Sequence, residues 1–378
     1  MFNILKKLKA ISGSIGFNYL PIEKRQITFY SEGESYWPHL SGLLEVTLKE
    51  INKSVCYVTS SLEDPGIKID HPNLNKFYIG SSSVRDQFFK DLNTNILITT
   101  MPDLDKYSIK RSKYNVHYIY VQHSLVSLHS VYRHGAFDHY DTICAAGPHH
   151  VKEIRAIEEK YNLPKKKIIK LGYSRLDNLI KFSNKDLNYK NSKIKSCKKI
   201  LIAPSWGPEG IIEIDLGKNL IENLLNQGHE VILRPHPQTI KLFNHKVKEI
   251  CNKYKNDFNF YLDDNVNSHD SFFQSDIMIS DWSGVAFEYF FAFNKPIIFC
   301  DVPNKINNLN YRDIGIVPFE MYIREKIGII WDGISPIKEI IQLCLLKQNK
   351  DFDNLRNKHC FNVKRSDKVF AETLKSFF

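Results

Sequence analysis

The sequence predicts an α/β protein built from two Rossmann-like domains whose parallel sheets face a central cleft. The chain has 378 residues, a length that suits about two domains. Two sets of short apolar segments alternate with helical stretches, and such alternation with short connections favours parallel strands. A composition of 43% apolar and 25% charged residues excludes a wholly disordered or coiled-coil chain.

The first set of predicted elements runs from Gln26 to about Asn178. QITFYS reads as a buried strand, and the loop EGESYWP after it leads into a helix from about Pro38 to Ile51. SVCYVTS, NILITT and VHYIYVQ are rich in β-branched and aromatic residues, so they are predicted strands. We assign residues 1–180 to a first domain that opens with a basic helix.

The second set begins at Lys199 and defines a second domain over residues 199–350. KKILIAPSW, EVILRPHP, SDIMIS and KPIIFCDVP are predicted strands, whereas Leu216–Gln227 and VAFEYFFAF are predicted helices. Residues 181–198, rich in lysine and asparagine, form the predicted linker between the domains.

The charge balance points to an anionic partner. Lys and Arg number 52 against 42 Asp and Glu, a net charge of +10, which suits a nucleic acid, a phosphorylated substrate or an acidic membrane surface. The lysines cluster without interleaved aromatic residues, so nucleic-acid binding is not predicted. Seven scattered cysteines without a C-x-x-C pair favour a reducing cytoplasm.

The N-terminal segment MFNILKKLKAISGSIGF lacks the apolar core of a signal peptide. On a helix its apolar residues share one face beside three lysines, a pattern typical of a helix lying on an anionic membrane. The alternative is an amphipathic helix packed on its own domain. No stretch is long and apolar enough to span a bilayer, which excludes a polytopic membrane protein. The residues of this predicted helix face are Phe2, Ile4, Leu5, Leu8 and Ile11, with Lys6, Lys7 and Lys9 beside them.

Ligands of open α/β sheets bind outside the carboxyl ends of the strands. The loops that follow the predicted strands are therefore the candidate site. They are Ser31–Tyr36, Met101–Asp105, Gln122–Ser127, Pro204–Gly210, Pro235–Gln238 and Asp281–Gly284.

The loop after SDIMIS offers the strongest phosphate-binding pattern. Ser280, Asp281, Ser283 and Gly284 place hydroxyls, a turn glycine and free backbone N–H groups at a helix N-terminus, which favours a phosphate or pyrophosphate. The alternative is that Asp281 or Ser283 caps the helix. Glu288, one turn into the helix, is placed to reach a ribose hydroxyl or to remain a solvated carboxylate.

Other strand ends supply cationic and imidazole groups. Arg234 and His236 leave one strand at alternate positions and together can neutralise a phosphate, unless the histidine is simply packed at the sheet edge. His123 directly follows another strand, where a base facing the cleft would stand, and His134 is the competing candidate. No histidine spacing matches a zinc motif, so no metal site is predicted.

Two further loops complete the candidate set. Ser205 lies in a Pro/Gly-rich loop suited to covering a base or phosphate, and Arg175 precedes a helix that Asp177 is placed to cap. Neither G-x-x-x-x-G-K-[ST] nor G-x-G-x-x-G occurs in the sequence, which disfavours a P-loop ATPase or a simple dinucleotide enzyme.

Taken in order, these segments resemble the CDP-glycerol glycerophosphotransferase family of teichoic-acid primases and polymerases. The family pattern runs Q-x-W-H-G, G-Y-P-R-x-D, A-P-T-W, R-x-H-P and S-D-Y-S-S before an aromatic helix and K-P-I-I-F. This chain has VQHSL, LGYSRLD, IAPSWG, RPHPQ and SDWSGVAFEYFFAFNKPIIF at similar intervals. Departures include Ser124 in place of the glycine of W-H-G and Gly284 in place of the last serine of S-D-Y-S-S.

The resemblance implies a two-domain GT-B architecture, peripheral on the cytoplasmic face of the bacterial membrane, with a C-terminal helix over 351–378 crossing back to the first domain. It implies a transferase that moves glycerol phosphate from CDP-glycerol to an acceptor hydroxyl and releases CMP, in teichoic-acid or capsule polysaccharide synthesis. The acceptor binds the first domain and the nucleotide donor the second.

The family pattern also assigns roles to individual residues. His123 aligns with the family's presumed general base, and His236 with Arg234 aligns with the pair beside the pyrophosphate. The serine and aspartate positions of the S-D-x-S turn and the Arg175–Asp177 pair align with donor-binding positions. The resemblance implies no required cofactor and leaves open whether Mg²⁺ takes part in the reaction.

Other functions stay open at this point. The donor is either CDP-glycerol, another CDP-alditol or a nucleotide sugar. In the last case the chain is a GT-B glycosyltransferase for capsule or lipopolysaccharide synthesis, and a sugar-nucleotide epimerase is a third enzyme class. A non-catalytic, membrane-docked binding module is the alternative outside enzymes.

Overall fold

The computed structural model describes residues 2–185, 197–347 and 351–378. It contains two separate parallel sheets flanked by helices, which confirms the predicted α/β class. Most of the predicted linker over 181–198 lies outside the described residues. We refer to residues 2–185 as the first half and to residues 197–347 as the second half.

The first half folds around a seven-stranded sheet with all neighbouring strands parallel, in the order β3-β2-β1-β4-β5-β6-β7. Its strands are β1 Ile27–Ser31, β2 Val55–Thr59, β3 Leu74–Tyr78, β4 Ile96–Thr99, β5 His117–Val121, β6 Thr142–Ala145 and β7 Lys167–Lys170. Its helices are α1 Phe2–Tyr19, α2 Trp37–Glu50, α3 Ser83–Asp91, α4 Pro148–Lys160 and α5 Ser174–Lys185.

The second half repeats this plan with a six-stranded parallel sheet in the order β10-β9-β8-β11-β12-β13. Its strands are β8 Lys199–Ile202, β9 Glu230–Leu233, β10 Phe260–Leu262, β11 Ile277–Ser280, β12 Ile297–Cys300 and β13 Ile329–Trp331. Its helices are α6 Leu216–Asn226, α7 Pro237–Leu242, α8 Asn244–Tyr254, α9 Asp270–Gln274, α10 Gly284–Phe293, α11 Phe319–Ile327 and α12 Ile337–Leu346.

The last two helices return to the first half. After α13, Phe352–His359, the chain continues into α14, Ser366–Lys375, which packs on α2. The backbone N–H of Phe361 donates to the carbonyl of Ala146 at 2.8 Å, so the connecting turn is also fixed to the first sheet. The C-terminal segment therefore ties together elements that are more than 200 residues apart in the sequence.

Hydrophobic burial explains the central elements. Every position of β1 and β2 is buried, because helices cover both faces of a parallel sheet. Helix α10, GVAFEYFFAF, has aromatic residues on all sides, and a helix of that kind is expected inside a protein. It packs on α5 of the first half, and Phe287, Tyr289 and Phe291 are fully buried.

The predicted strands of both sets are confirmed, and those of the first set agree with the observed strands within one residue at each end. KKILIAPSW, EVILRPHP and KPIIFCDVP extend three or four residues beyond the carboxyl ends of the observed strands. Five strands were not predicted: β3, β6, β7, β10 and β13. Four of them, β3, β7, β10 and β13, lie at sheet edges and contain exposed or half-exposed positions, which weakens the apolar pattern used to recognise them. None of the described helices is long and apolar enough to cross a bilayer.

Candidate active site

A cleft of about 540 Å³ lies between the carboxyl ends of the two sheets. All six loops predicted from the strand ends contribute residues to it. The rule that ligands bind at the carboxyl ends of parallel strands, here called the carboxyl-end rule, therefore locates the cleft. The first-half wall carries imidazole, aromatic and arginine side chains, and the second-half wall carries lysine, arginine, imidazole and indole side chains beside a helix N-terminus.

The N-terminus of α10 opens directly into this cleft. Ser283 occupies the N-cap position, but its side chain accepts no hydrogen bond from the first turn of the helix in the part of the chain that the structure describes. Asp281 bonds to Ser205 instead. The interpretation that Asp281 or Ser283 caps the helix is therefore wrong. Ser283 and Gly284 both line the cavity. The N–H of Ala286 donates to the carbonyl of Ser283 at 3.2 Å. The N–H groups of Gly284 and Val285, which precede it in this ten-residue helix, are placed to bind an anion, and the helix dipole reinforces them.

Ser280 and Asp281 lie beneath the cavity instead of in it, which corrects their predicted donor contact. The Ser280 hydroxyl donates to the carbonyl of Ala203 at 2.7 Å, and a carboxylate oxygen of Asp281 accepts from the backbone N–H of Ser205 at 2.7 Å. Both side chains are fully buried. They join the loops after β8 and β11, so they position Ser205, which does line the cleft.

His236 enters the cleft as a neutral hydrogen-bond donor. Its Nδ1 accepts from the backbone N–H of Gln238 at 3.1 Å at the start of α7, which leaves the ring proton on Nε2. Burial, and to a smaller extent Lys305, lowers the pKa of His236 to about 3. The ring therefore stays uncharged at neutral pH and offers one N–H to a ligand oxygen.

Arg234 lines the same wall but is partly neutralised. Its guanidinium pairs with Asp263, donates to the carbonyl of Val266 at 3.2 Å, and lies 4.9 Å from the ring centre of Phe272. These contacts fix the guanidinium at the cavity edge, so it contributes a positioned positive charge.

Lys305 is a functional candidate that no sequence motif indicated. It follows β12, and its ammonium group lies 4.3 Å from the ring centre of Trp206, another residue lining the cleft. Burial lowers the pKa of Lys305 to about 8, so the group is still mostly protonated at neutral pH. The carboxyl-end rule would have found it, had the loop after KPIIFCDVP been included.

His123 stands on the first-half wall, as predicted. The hydroxyl of Tyr120 lies 3.1 Å from its Nδ1 and the hydroxyl of Tyr132 lies 3.2 Å from its Nε2. Its ring centre is 6.0 Å from that of His39, a second cleft imidazole that the sequence did not indicate. Burial lowers the pKa of His123 to about 4, so the imidazole is neutral.

Glu288 joins the two halves through a buried ion pair. One carboxylate oxygen accepts from Nε of Arg175 at 2.7 Å, and the other accepts from the hydroxyl of Tyr173 at 2.7 Å. Arg175 and Glu288 both line the cleft, as predicted. Because Glu288 is 4% exposed, the alternative of a solvated carboxylate is wrong.

Asp177 has a different role from the predicted one. Its carboxylate accepts hydrogen bonds from the backbone N–H groups of Lys364 and Ser366 and from the hydroxyl of Ser366, ahead of α14. It lies in the first turn of α5, but both of its carboxylate oxygens bind the C-terminal segment, so it neither caps the helix nor contacts the cleft. Asp177 anchors the C-terminal helices to the first half.

The histidine-rich stretch builds the loop that carries His123. His149 and His150 meet the carbonyls of Leu125 and Val126 at 2.9 and 3.0 Å, and His129 meets that of Ile316 at 3.0 Å. Within the ranges that the structure covers, no three His, Cys, Asp or Glu side chains form a metal-binding cluster. Of the seven histidines between His117 and His150, these three hold backbone in place.

Ser124 and Gly284 meet across the cleft. A Cβ atom added at Gly284 would lie 2.1 Å from the hydroxyl oxygen of Ser124 and 3.4 Å from a methyl carbon of Val126. The chain departs from the family pattern at both positions, with serine at 124 in place of glycine and glycine at 284 in place of serine. The hydroxymethyl group that the family pattern places at position 284 is absent here, and the one on Ser124 occupies the space beside Gly284.

This contact predicts a reciprocal rescue. Gly284→Ser alone overpacks the junction and should destabilise the protein by about 1–3 kcal/mol. Adding Ser124→Gly frees the space and should restore most of the lost stability. Urea unfolding of the two single variants and the double variant tests this, and a double variant no more stable than Gly284→Ser would contradict the contact.

Known structures share this architecture. UDP-GlcNAc 2-epimerase of Methanocaldococcus jannaschii, solved with UDP-GlcNAc and UDP, has a TM-score of 0.60 at 13% identity over 93% of this chain and 99% of that chain. A putative UDP-N-acetylglucosamine 2-epimerase from Listeria monocytogenes has a TM-score of 0.58 at 12% identity over 94% and 97% of the two chains. At such identities the similarity shows the fold alone, a two-domain GT-B arrangement.

Sequence relatives give the family. The minor teichoic acid biosynthesis protein GgaB of Bacillus subtilis (strain 168) is 22% identical over 235 residues, which is 54% of this chain. The chain spans only about a quarter of that protein, because the match covers 24% of its length. The family model described as CDP-glycerol:poly(glycerophosphate) glycerophosphotransferase matches residues 112–305. That segment is just over half of the chain and holds most of the cleft loops, and the chain belongs to this transferase family.

Proposed function

We propose that the protein transfers glycerol phosphate, or a similar alditol phosphate, from a CDP-linked donor to an acceptor hydroxyl and releases CMP. The polymer that receives it belongs to the cell envelope and is of the teichoic-acid type. The observation that carries the proposal is the opposition of two walls in one cleft: imidazoles from the first half face a cationic wall and a helix N-terminus from the second half.

The second-half wall suits the diphosphate of the donor. The open N–H groups of α10, the ammonium group of Lys305 and the guanidinium of Arg234 supply positive potential to its oxygens. The Nε2–H of His236 adds a neutral donor. These groups stabilise the charge that gathers on the phosphate of CMP as it leaves.

The first-half wall suits the acceptor. The hydroxyl oxygen of the acceptor forms a bond to the donor phosphorus that carries the glycerol. At the same time the bond from that phosphorus to the bridging oxygen of the diphosphate breaks. The hydroxyl proton passes to an imidazole of this wall, where His123 and His39 both stand. CMP departs with the bridging oxygen and its electron pair.

A donor panel tests the proposal. Purified protein is incubated with membrane extract as acceptor and with CDP-glycerol, CDP-ribitol, UDP-sugars or GDP-sugars, and the released nucleotide is measured. We expect acceptor-dependent CMP release from a CDP-alditol. Release of UDP or GDP would instead support a nucleotide-sugar glycosyltransferase, and nucleotide binding without turnover would support a non-catalytic module. Either result would overturn the proposal.

We further propose that α1 docks the protein on an anionic membrane surface. The helix packs on β3 and α3, with Ala10 and Phe17 buried on its inner side. The opposite side exposes Ile4, Leu8 and Ile15, with exposed fractions of 66%, 56% and 49%. An outward apolar stripe beside lysines matches a helix that lies in a membrane interface.

Vesicle flotation tests this docking. We expect the protein to float with phosphatidylglycerol vesicles and much less with phosphatidylcholine vesicles, because lysine charges and apolar side chains act together. Leu8→Glu with Ile15→Glu should lower the bound fraction at least about tenfold, since each buried side chain contributes roughly 1.5–3 kcal/mol. Ile334→Glu, which alters an exposed isoleucine of the second half, is the matched control. Equal flotation of all variants would contradict the proposal.

A further inference from the structure

His39 occupies the first turn of α2 and lines the cleft, although no motif singles it out. Its Nδ1 lies 3.1 Å from the hydroxyl oxygen of Tyr173. That hydroxyl lies 2.7 Å from one carboxylate oxygen of Glu288, whose other oxygen accepts from Arg175. A continuous chain of hydrogen bonds thus runs from His39 in the first half to Glu288 in the second.

The direction of these hydrogen bonds fixes the tautomer of His39. The carboxylate of Glu288, paired with the Arg175 guanidinium, can only accept, so the hydroxyl of Tyr173 donates to it. Burial raises the pKa of Tyr173 well above its usual value, so this hydroxyl keeps its proton. The Tyr173 oxygen then accepts from Nδ1–H of His39, and the lone pair of His39 is on Nε2.

The two cleft imidazoles differ in what surrounds that lone pair. Nε2 of His39 has no hydrogen-bond partner among the residues that the structure describes. His123, by contrast, has a tyrosine hydroxyl at each ring nitrogen, Tyr120 at Nδ1 and Tyr132 at Nε2. A general base needs an accessible lone pair within reach of the proton that it removes. His39 meets that requirement, and His123 meets it only if a tyrosine moves.

We propose that His39 is the general base of the transfer and that Tyr173 and Glu288 are positioning residues for it. This inference rests on the proposed function. The O–H bond of the acceptor breaks and its proton moves to Nε2 of His39, while the acceptor oxygen bonds to phosphorus and CMP leaves. The imidazolium is stabilised by Glu288 through the Tyr173 hydroxyl, and it returns its proton to solvent before the next turnover.

The charged and titratable groups around His39 suit a base. Arg175 and Glu288 face it from α5 and α10, Tyr173 from the residue before α5, and His123 from the loop after β5. Burial first, and then Arg175, lowers the pKa of His39 well below its usual value, so the ring is unprotonated at neutral pH. The weak basicity that burial imposes is offset during proton transfer by the carboxylate at the end of the chain.

The test compares histidine variants in the CMP-release assay, with CDP affinity measured by calorimetry. His39→Ala and His39→Gln are expected to lower kcat by about 100–10,000-fold, the usual contribution of a general base, with CDP affinity unchanged. The loss should shrink when the acceptor alcohol is made more acidic by fluorination, because such an alcohol needs less help from a base. His123→Gln is expected to lose less than His39→Gln, and His245→Gln, at an exposed second-half histidine, is the neutral control.

A positioning role is tested separately. Tyr173→Phe removes the acceptor for Nδ1–H, so the tautomer is no longer fixed, and we expect a smaller loss in kcat together with a shifted acidic limb of the pH–rate profile. A His39→Gln variant that releases CMP within threefold of the wild-type rate would overturn only this assignment. Absence of CMP release by the wild-type protein would overturn the proposed function and the assignment together.

Discussion

His236→Ala is expected to lower the rate of CMP release by about 100–1,000-fold while the protein stays folded. The neutral Nε2–H of His236 is aimed into the cleft by the Gln238 contact on Nδ1. Removing one preorganised donor to a developing anion typically costs that much in kcat. The side chain is only partly buried, so its loss leaves no large cavity in a core.

The measurement is kcat for CMP release at saturating donor, with circular dichroism and CDP affinity as checks on the fold. His245→Gln is the matched control, because it changes an exposed histidine on α8 in the same half. An alanine variant that keeps more than a third of the wild-type rate would show that His236 does not contact the reacting phosphate.

Glu288→Ala is expected to destabilise the protein by about 3–5 kcal/mol. The substitution leaves the Arg175 guanidinium buried without its carboxylate, and breaking one side of a buried ion pair costs about that much. The Tyr173 hydroxyl loses its acceptor as well. Because α5 and α10 belong to different halves, the loss also weakens the contact between the halves.

Urea unfolding of three proteins measures this effect: wild type, Glu288→Ala and the double variant Arg175→Met with Glu288→Met. The double variant removes both charges and should regain much of the lost stability, since an apolar pair of similar volume often replaces a buried ion pair without loss. Its rate of CMP release should stay below that of the wild type, because the carboxylate at the end of the positioning chain to His39 is gone. A Glu288→Ala variant as stable as wild type would contradict the claim that the buried Arg175–Glu288 ion pair stabilises the protein.

The carboxyl-end rule shows how far sequence reasoning reaches in this chain. Alternating strands and helices are local patterns, so they predict that loops such as Gln122–Ser127 and Asp281–Gly284 meet at one cleft, as they do. The same patterns do not tell which side chains of a loop face the ligand. Ser280 and Asp281 read as phosphate ligands, yet they bond to backbone below the cavity.

Residues that act through long-range contacts leave no local pattern. Tyr173 lies 134 residues from His39 and 115 residues from Glu288, so the chain that joins them exists only in the folded protein. Asp177 reads as a helix cap because its partners, Lys364 and Ser366, lie near the other end of the sequence. Pattern and spacing therefore predict the architecture well and the individual contacts less completely.

The bond that breaks in the donor is the most direct test of the proposed transfer. CDP-glycerol labelled with ³²P in the phosphate next to glycerol is incubated with the protein and membrane acceptor, and the label is followed into polymer and nucleotide. We predict that the ³²P enters the polymer and that one unlabelled CMP is released for each unit added. Label retained in released CDP would mean that the carbon–oxygen bond breaks instead, and it would contradict the account.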